Sequence, residues 1–282
     1  MAQPSTRPLL VIDGDSFAHR AYHGLPKTIR RAGNKGGGAI VGFANYLIRL
    51  LETEQPRAVV VGWDTLSAPN WRAREFPPYQ GGRVFDDELV EQLDALPEFV
   101  AACGFLNGKA EGFEADDFLA TAAAAEEKRG GTVLVASGDR DAFQLASDRT
   151  TILHPVKMGE IARIGPAEVR ERYGVEPAQV PDFIALRGDP SDKLPGARGI
   201  GPKTAASLLH RYPSLEAMLE AGQFPLQAND LRLYRRIATM LTTAPLPAAV
   251  PDMVPTWPAA AALARQWGLN ALAGRLEELA AA

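Results

Sequence analysis

The chain has 282 residues, with 30 Lys and Arg against 34 Asp and Glu for a net charge of −4, and it is 46% hydrophobic and 23% charged. These values are ordinary for a globular protein and exclude a largely disordered chain, a collagen-like chain and a disulfide scaffold. The length suits one large domain or two smaller ones, and the single cysteine, Cys103, excludes an internal disulfide and fits a reducing compartment.

Residues 1–8 form a polar lead-in with no apolar targeting core behind it, and no apolar run approaches a membrane span. A soluble, cytoplasmic protein is expected. Leu9-Leu10-Val11-Ile12 reads as a strand that ends at Asp13. Residues 38–55 carry Ile40, Phe43, Leu47, Leu50 and Leu51 at helical spacing. Residues 57–62 read as a second strand, running into Trp63-Asp64. Residues 66–86 lack apolar periodicity and are rich in Pro, Gly, Arg and aromatics, the mark of a functional or disordered loop. Residues 86–103 read as a helix that buries Cys103, and 114–129 as an Ala-rich helix stopped by Gly130-Gly131. Residues 132–136 form a third strand that leads into Ser137-Gly138-Asp139. After Thr151 the pattern turns to short helices separated by Pro and Gly, with a soft boundary near 164–181. Residues 257–281 read as a helical cap. Apolar strands alternating with helices predict an α/β protein with a parallel sheet covered on both faces. Ligands of such sheets sit at the carboxyl ends of the strands, where all three predicted strands place an aspartate.

Nine carboxylates stand out: Asp13, Asp64, Glu114, Asp116, Asp117, Asp139, Asp141, Asp189 and Asp192. Each has a plain structural reading. Glu114–Asp117 suit a helix N-terminus, Asp139 and Asp141 suit a cap, and Asp189 and Asp192 flank a turn at Pro190. Together they point to a cation. Converging carboxylates repel, and an all-oxygen set with no His or Cys suits Mg²⁺ or Mn²⁺ rather than zinc. Glu114 and Asp117, three apart on a helix, are expected to point into one site. Nine acids exceed the needs of one ion and suit two about 4 Å apart, the arrangement that cleaves phosphodiesters. With these nine set aside, the rest of the chain carries about +5, so a basic surface can surround an acidic pit and hold nucleic-acid phosphates.

Gly199-Ile200-Gly201 makes a tight turn into a helix that begins near Pro202. Its open backbone N–H groups, the helix dipole and Lys203 suit a phosphate oxygen, although a Gly-rich helix connection has the same outline. The segment 66–86 contributes Trp71, Arg72, Arg74, Phe76, Tyr79 and Arg83. These residues suit either unpaired bases with their phosphates or a loop whose aromatics pack on the body. Arg20 follows Asp13 closely and can face the same rim. None of the four histidines shows ligand spacing.

Five ordered motifs carry a family resemblance: Val11-Ile12-Asp13-Gly14; Glu114-Ala115-Asp116-Asp117; Ser137-Gly138-Asp139-Arg140-Asp141; Gly188-Asp189-Pro190-Ser191-Asp192 with Leu194-Pro195-Gly196; and Gly199-Ile200-Gly201-Pro202-Lys203-Thr204-Ala205. Spread over residues 9–245, they resemble the bacterial 5′→3′ exonuclease and flap endonuclease family, which includes the N-terminal nuclease domain of DNA polymerase I. The resemblance implies a PIN-like nuclease core over residues 1–172 with an arch at 65–105. It implies a helix–three-turn–helix (helix-hairpin-helix) module with C-terminal helices over 173–282. It also implies two divalent ions, one held by Asp13, Asp64, Glu114, Asp116 and Asp117, the other by Asp139, Asp141, Asp189 and Asp192. Tyr79 and Arg83 resemble arch residues that orient the terminal nucleotide and the scissile phosphate. Arg20 resembles a further phosphate contact, to which Arg72 and Arg74 could add. Gly199, Gly201, Lys203 and Thr204 fall on the duplex-gripping hairpin, a site for K⁺. The implied substrate is branched or 5′-flap DNA, or an RNA–DNA hybrid, in primer removal or repair at the nucleoid, by a monomer. Two departures stand out. The family's arch lysine is Gln80 here, and Asn in the Asp-Asn-Ile-Pro-Gly motif is Lys193. No polymerase domain follows, so a standalone member is expected. The alternatives are a non-catalytic junction binder and a PIN-type ribonuclease.

Overall fold

The computed structural model describes residues 6–156 and 159–281, so most of the lead-in at 1–8 lies outside the described residues. In chain order, β1 (Leu9–Asp13) leads into α1 (Gly14–Gly24), and a two-residue hairpin of β2 (Arg30–Arg31) and β3 (Lys35–Gly36) precedes α2 (Gly38–Glu54). Then come β4 (Ala58–Gly62), α3 (Trp71–Glu75), α4 (Asp87–Ala102), β5 (Leu106–Gly108), α5 (Ala115–Lys128) and β6 (Val133–Ala136). β7 (Thr150–Pro155) and β8 (Ile161–Ile164) complete the main sheet. The rest is helical: α6 (Pro166–Tyr173), α7 (Val180–Arg187), α8 (Pro202–Arg211), α9 (Leu215–Glu220), α10 (Ala228–Ala238), α11 (Trp257–Gln266) and α12 (Asn270–Ala281).

The main sheet has the order β5-β4-β1-β6-β7-β8 and is parallel except for the β7–β8 edge pair. The three predicted strands lie at its centre, with β1 between β4 and β6. Their side chains alternate between two cores. Leu9, Val11, Val60 and Val135 pack beneath α5 and the helices from α6 to α10. Leu10, Ile12, Val61 and Ala136 pack beneath α1, α2, α4, α11 and α12. A sheet buried on both faces explains why its central strands are continuous apolar runs.

Three expectations need correction. The region after Thr151 is not only helical, because β7 and β8 precede the helices. Of the span 65–105 assigned to an arch, α4 buries Leu89, Leu93, Leu96, Phe99 and Val100 in one core, and the segment ahead of it packs Trp71, Phe76 and Tyr79 against the other. The C-terminal cap is two helices, turned at Gly268 with φ +75°. Both pack on the face that carries α2 and α4 rather than beside the hairpin with which the sequence division grouped them. The chain crosses to that face along a connector held by Arg57. The buried guanidinium of Arg57 pairs with Glu126 and donates to the Val250 carbonyl at 2.8 Å, and Met253 N donates to the Arg57 carbonyl at 2.8 Å. Among the described residues no helix is long and apolar enough to cross a membrane.

Candidate active site

The carboxyl ends of β1, β4 and β6 open into a cleft of about 650 Å³. Seven of the nine singled-out acids line it: Asp13, Asp64, Glu114, Asp116, Asp139, Asp141 and Asp189. Backbone geometry fixes their positions. Asp13 caps α1, with Oδ1 accepting from Ser16 N at 2.9 Å and Oδ2 from Ser137 Oγ at 2.7 Å. Asp64 accepts from Ala115 N at 2.8 Å, which joins the end of β4 to the start of α5. That approach requires Gly62, where an added Cβ would lie 2.7 Å from the Ala115 carbonyl oxygen. Asp139 Oδ1 accepts from Asp141 N at 2.9 Å. Asp189 accepts from Ser191 N at 2.8 Å and from Arg187 at 3.0 Å.

The acids repel one another in a poorly solvated space. Burial pushes Asp13 up to about 7, and Asp64 and Asp139 add repulsion. Burial likewise raises Glu114 to about 7 against the pull of Arg72. Asp116 and Asp141 rise well above the carboxylate range, through burial first and then the charge of Asp139. Asp192, next to the cleft, reaches about 6 for the same reasons. The seven acids outnumber the three arginines that line the cleft with them, Arg83, Arg140 and Arg187. The donors of the acids are all oxygen, which fits hard divalent cations. Among the described residues no three of these groups stand together at direct ligating distance. The open cleft has room for the water that Mg²⁺ keeps in its shell.

Asp117 does not belong to the cleft. It is fully buried, and its carboxylate accepts from Arg72 at 2.8 and 3.0 Å, from Trp71 Nε1 at 3.1 Å and from Leu241 N at 2.9 Å. With Glu114 it forms the capping box of α5, the structural role that spacing of three also encodes. Arg72 is corrected with it. Expected at a DNA phosphate, it is buried and uses all five donors on Glu114, Asp117 and the carbonyls of Ile237 and Thr239. Tyr79 is 7% exposed and donates to Glu114 at 3.2 Å, so in this arrangement it offers no face to a nucleotide. Arg74 is exposed beside Glu111 at 3.4 Å, away from the cleft lining.

The arch segment is not helical across the cleft, because Pro77, Pro78, Gly81 and Gly82 break it. It still reaches the acids. Gln80 donates to Asp192 at 3.1 Å, and Arg83 lies 3.5 Å from the same carboxylate while lining the cleft. Asp15, His19, Phe85 and Arg187 are among the lining residues that escaped sequence reasoning. Asp15 accepts from Asp64 N at 2.7 Å, and its position two residues after Asp13 was the available signal. His19 and Phe85 meet edge to face at 5.1 Å on the arch side, and no spacing pattern links them.

The hairpin is joined to the cleft. Residues 189–194 close on themselves through paired backbone bonds between Asp189 and Leu194 at 2.8 and 2.9 Å. This small loop presents Asp189 to the cleft at one end and leads to the glycine turn at the other. Gly196, with φ +76°, must be glycine, since an added Cβ would lie 2.4 Å from Gly188 N. Gly199 and Gly201 differ, since a Cβ there would meet nothing within 4 Å. Gly201 caps α8, and Lys203 and Thr204 are exposed beside it. Arg20 is exposed at the far side of the cleft, its stem near Gly138.

Residues 8–174 match the family model described as 5′-3′ exonuclease, N-terminal resolvase-like domain, and residues 175–260 match 5′-3′ exonuclease, C-terminal SAM fold. The chain is 42% identical over 215 residues to DNA polymerase I of Mycobacterium tuberculosis, covering 75% of this chain and 24% of that protein. It is 38% identical over 255 residues to the thermostable DNA polymerase I of Thermus thermophilus, covering 86% of this chain and 30% of that protein. The chain thus spans less than a third of these relatives' length. Its fold is similar to that of the bacteriophage T5 flap endonuclease in a pseudo-enzyme–product complex with DNA and metal ions. The TM-score is 0.68 at 19% identity, covering 98% of this chain and 100% of that one.

Proposed function

The chain belongs to the 5′-3′ exonuclease family, and from that membership we propose that it is a divalent-metal-dependent 5′ nuclease that cuts branched or 5′-flap DNA near the junction. One observation carries this reading. A cleft lined by seven carboxylates is joined, through the loop at 189–194, to a hairpin whose glycines leave its backbone open. The acids would hold the cations, and the hairpin would hold the duplex from which the scissile strand enters.

Asp13, Asp64, Glu114, Asp116, Asp139, Asp141 and Asp189 are the groups placed to hold Mg²⁺ or Mn²⁺, directly or through water. When bound, the cations neutralise charge that develops on the phosphate and acidify the attacking water. The chain's own residues do the positioning. Ser137 and Ser16 fix the Asp13 carboxylate at both oxygens. Arg83 and Arg187 are cations on the cleft wall and suit the non-bridging oxygens of the scissile phosphate. The N–H groups around Gly199 and Gly201, with Lys203, would grip a duplex phosphate without reading bases, and carbonyl oxygens of the turn would hold a K⁺ beside it. Hydrolysis in this geometry leaves a 5′-phosphate and a 3′-hydroxyl.

The test is single-turnover cleavage of a 5′-labelled DNA flap in Mg²⁺ and in EDTA, beside Asp139→Ala. Cleavage near the junction should require Mg²⁺ and fall at least about 100-fold in the variant, while flap binding is retained. Wild-type protein that binds flaps in Mg²⁺ without cutting them overturns the enzymatic reading in favour of a junction binder.

A further inference from the structure

Three arginines form an unpaired cationic group beside the cleft. The arch springs from the β4 side of β1, and this group lies on the β6–β7 side. Arg20 comes from α1, Arg140 from the turn after β6, and Arg172 from the last turn of α6. Arg140 lines the cleft itself. The stem of Arg20 passes the Cα of Gly138, where an added Cβ would lie 3.5 Å from Arg20 Cδ. Ring contacts bring Tyr173, next to Arg172, to Phe143 at 5.6 Å, and Phe143, three residues after Arg140, to His154 at 5.4 Å. Burial holds that imidazole below its ordinary range, and the charges of Arg140, Arg172 and Arg20 push it the same way.

The three side chains are exposed and, among the described residues, form no ion pair or hydrogen bond. Exposed Arg129 and Arg198 share this state, whereas Arg163, Arg170, Arg232 and Arg265 pair with carboxylates at 2.9 Å or less; what distinguishes the three is their place beside the cleft. The group also leads somewhere. Gly174, two residues after Arg172, abuts α8, with its Cβ position 3.3 Å from Ala206 Cβ. Ala206 lies three residues after Lys203, on the same side of the helix. A cationic line therefore runs from the cleft rim through α6 to the hairpin helix.

We propose that Arg140 and Arg172, with Arg20, form a phosphate-binding track for the paired part of the cleaved strand, on the 3′ side of the cut. This rests on the nuclease reading and adds which side of the substrate the track grips. The unpaired 5′ side departs by the arch, so the strand that runs from cleft to hairpin is the paired side. Arginine forks match phosphate oxygens in pairs, and such contacts set register without reading sequence. The track aligns the strand so that one phosphate reaches the acids.

The test pairs the Arg140→Ala/Arg172→Ala double variant with a flap whose first two phosphates 3′ of the cut are neutral methylphosphonates. Binding is followed in Ca²⁺ over a range of salt. Both side chains are exposed and unpaired, so the variant should keep the wild-type circular dichroism spectrum and Tm. Its slope of log affinity against log salt should shrink by about 2, close to 0.9 for each phosphate no longer neutralised. The methylphosphonates should weaken the wild type and leave the double variant no weaker than it already is. Additive losses, or an unchanged salt slope, overturn the track and leave the nuclease reading intact. A wild-type protein that fails to bind any flap overturns that reading and the track with it.

Discussion

At the scale of single residues, Arg72 shows how burial redirects a side chain that sequence assigns to a surface. Interleaved arginines and aromatics at 66–86 look alike in sequence whether they face solvent or not. In the fold Arg72 neutralises Glu114 and Asp117 from a position 3% exposed and reaches the carbonyls of α10. Arg72→Ala would leave two buried carboxylates without their counter-charge. It should destabilise the protein by about 3–5 kcal/mol, a Tm loss on the order of 10 °C by calorimetry. Arg74→Ala breaks only an exposed 3.4 Å pair and should change stability by no more than about 0.5 kcal/mol. Equal losses in the two variants would contradict the bracket assigned to Arg72. The same ambiguity explains Asp117. A carboxylate three residues into a helix serves a capping box as well as a metal, and only the packed partners decide. Asp13, Asp64 and Asp139 were legible because strand ends have one place to go in a parallel sheet.

At the scale of elements, legibility followed length and periodicity. The helices α2, α4 and α5 end within a residue of their expected limits. Three residues of β5 carry too little pattern to be read, and β7 and β8 lie in the region after Thr151 that sequence reads as short helices separated by Pro and Gly. The hairpin separates two kinds of glycine. Gly196→Ala forces a Cβ to 2.4 Å from backbone and should lower Tm by several degrees. Gly201→Ala has open space around its Cβ, and its φ of −95° suits any residue. It should cost no more than about 1 kcal/mol as a helix cap. It should nevertheless weaken flap binding, because the new methyl group stands where a phosphate would approach the open N–H groups. Flap affinity equal to wild type in Gly201→Ala would show that no phosphate docks there. The arch, too, is explained at this scale. Its prolines and glycines prevent a helix, and α3 ties its base to α10 through Arg72 and the Glu75–Arg236 pair at 2.6 Å.

For the molecule as a whole, the acidic cleft sets the pH response of folding. Asp13 and Glu114 titrate near 7 in the folded protein, and Asp15, Asp116 and Asp141 titrate well above the carboxylate range, all first through burial. In the unfolded chain these groups ionise near pH 4. The folded state therefore binds more protons than the unfolded state between those limits, and stability falls as pH rises through the folded values. Two histidines that burial holds low, half-buried His19 and buried His154, pull the other way, but only below their ordinary value near 6.5, where the unfolded chain takes up protons first. Between pH 6.5 and 8 the acids act alone. In EDTA the Tm should therefore be lower at pH 8 than at pH 6.5. If, as proposed, divalent cations bind the ionised cluster and not the unfolded chain, Mg²⁺ should raise the Tm, and by more at pH 8 than at pH 6.5. Scanning calorimetry at the two pH values, with and without Mg²⁺, measures all four states. A Tm in EDTA that rises between pH 6.5 and 8 would mean the carboxylates are solvated and apart. A Mg²⁺ shift no larger at pH 8 would mean the ion binds somewhere other than the cleft.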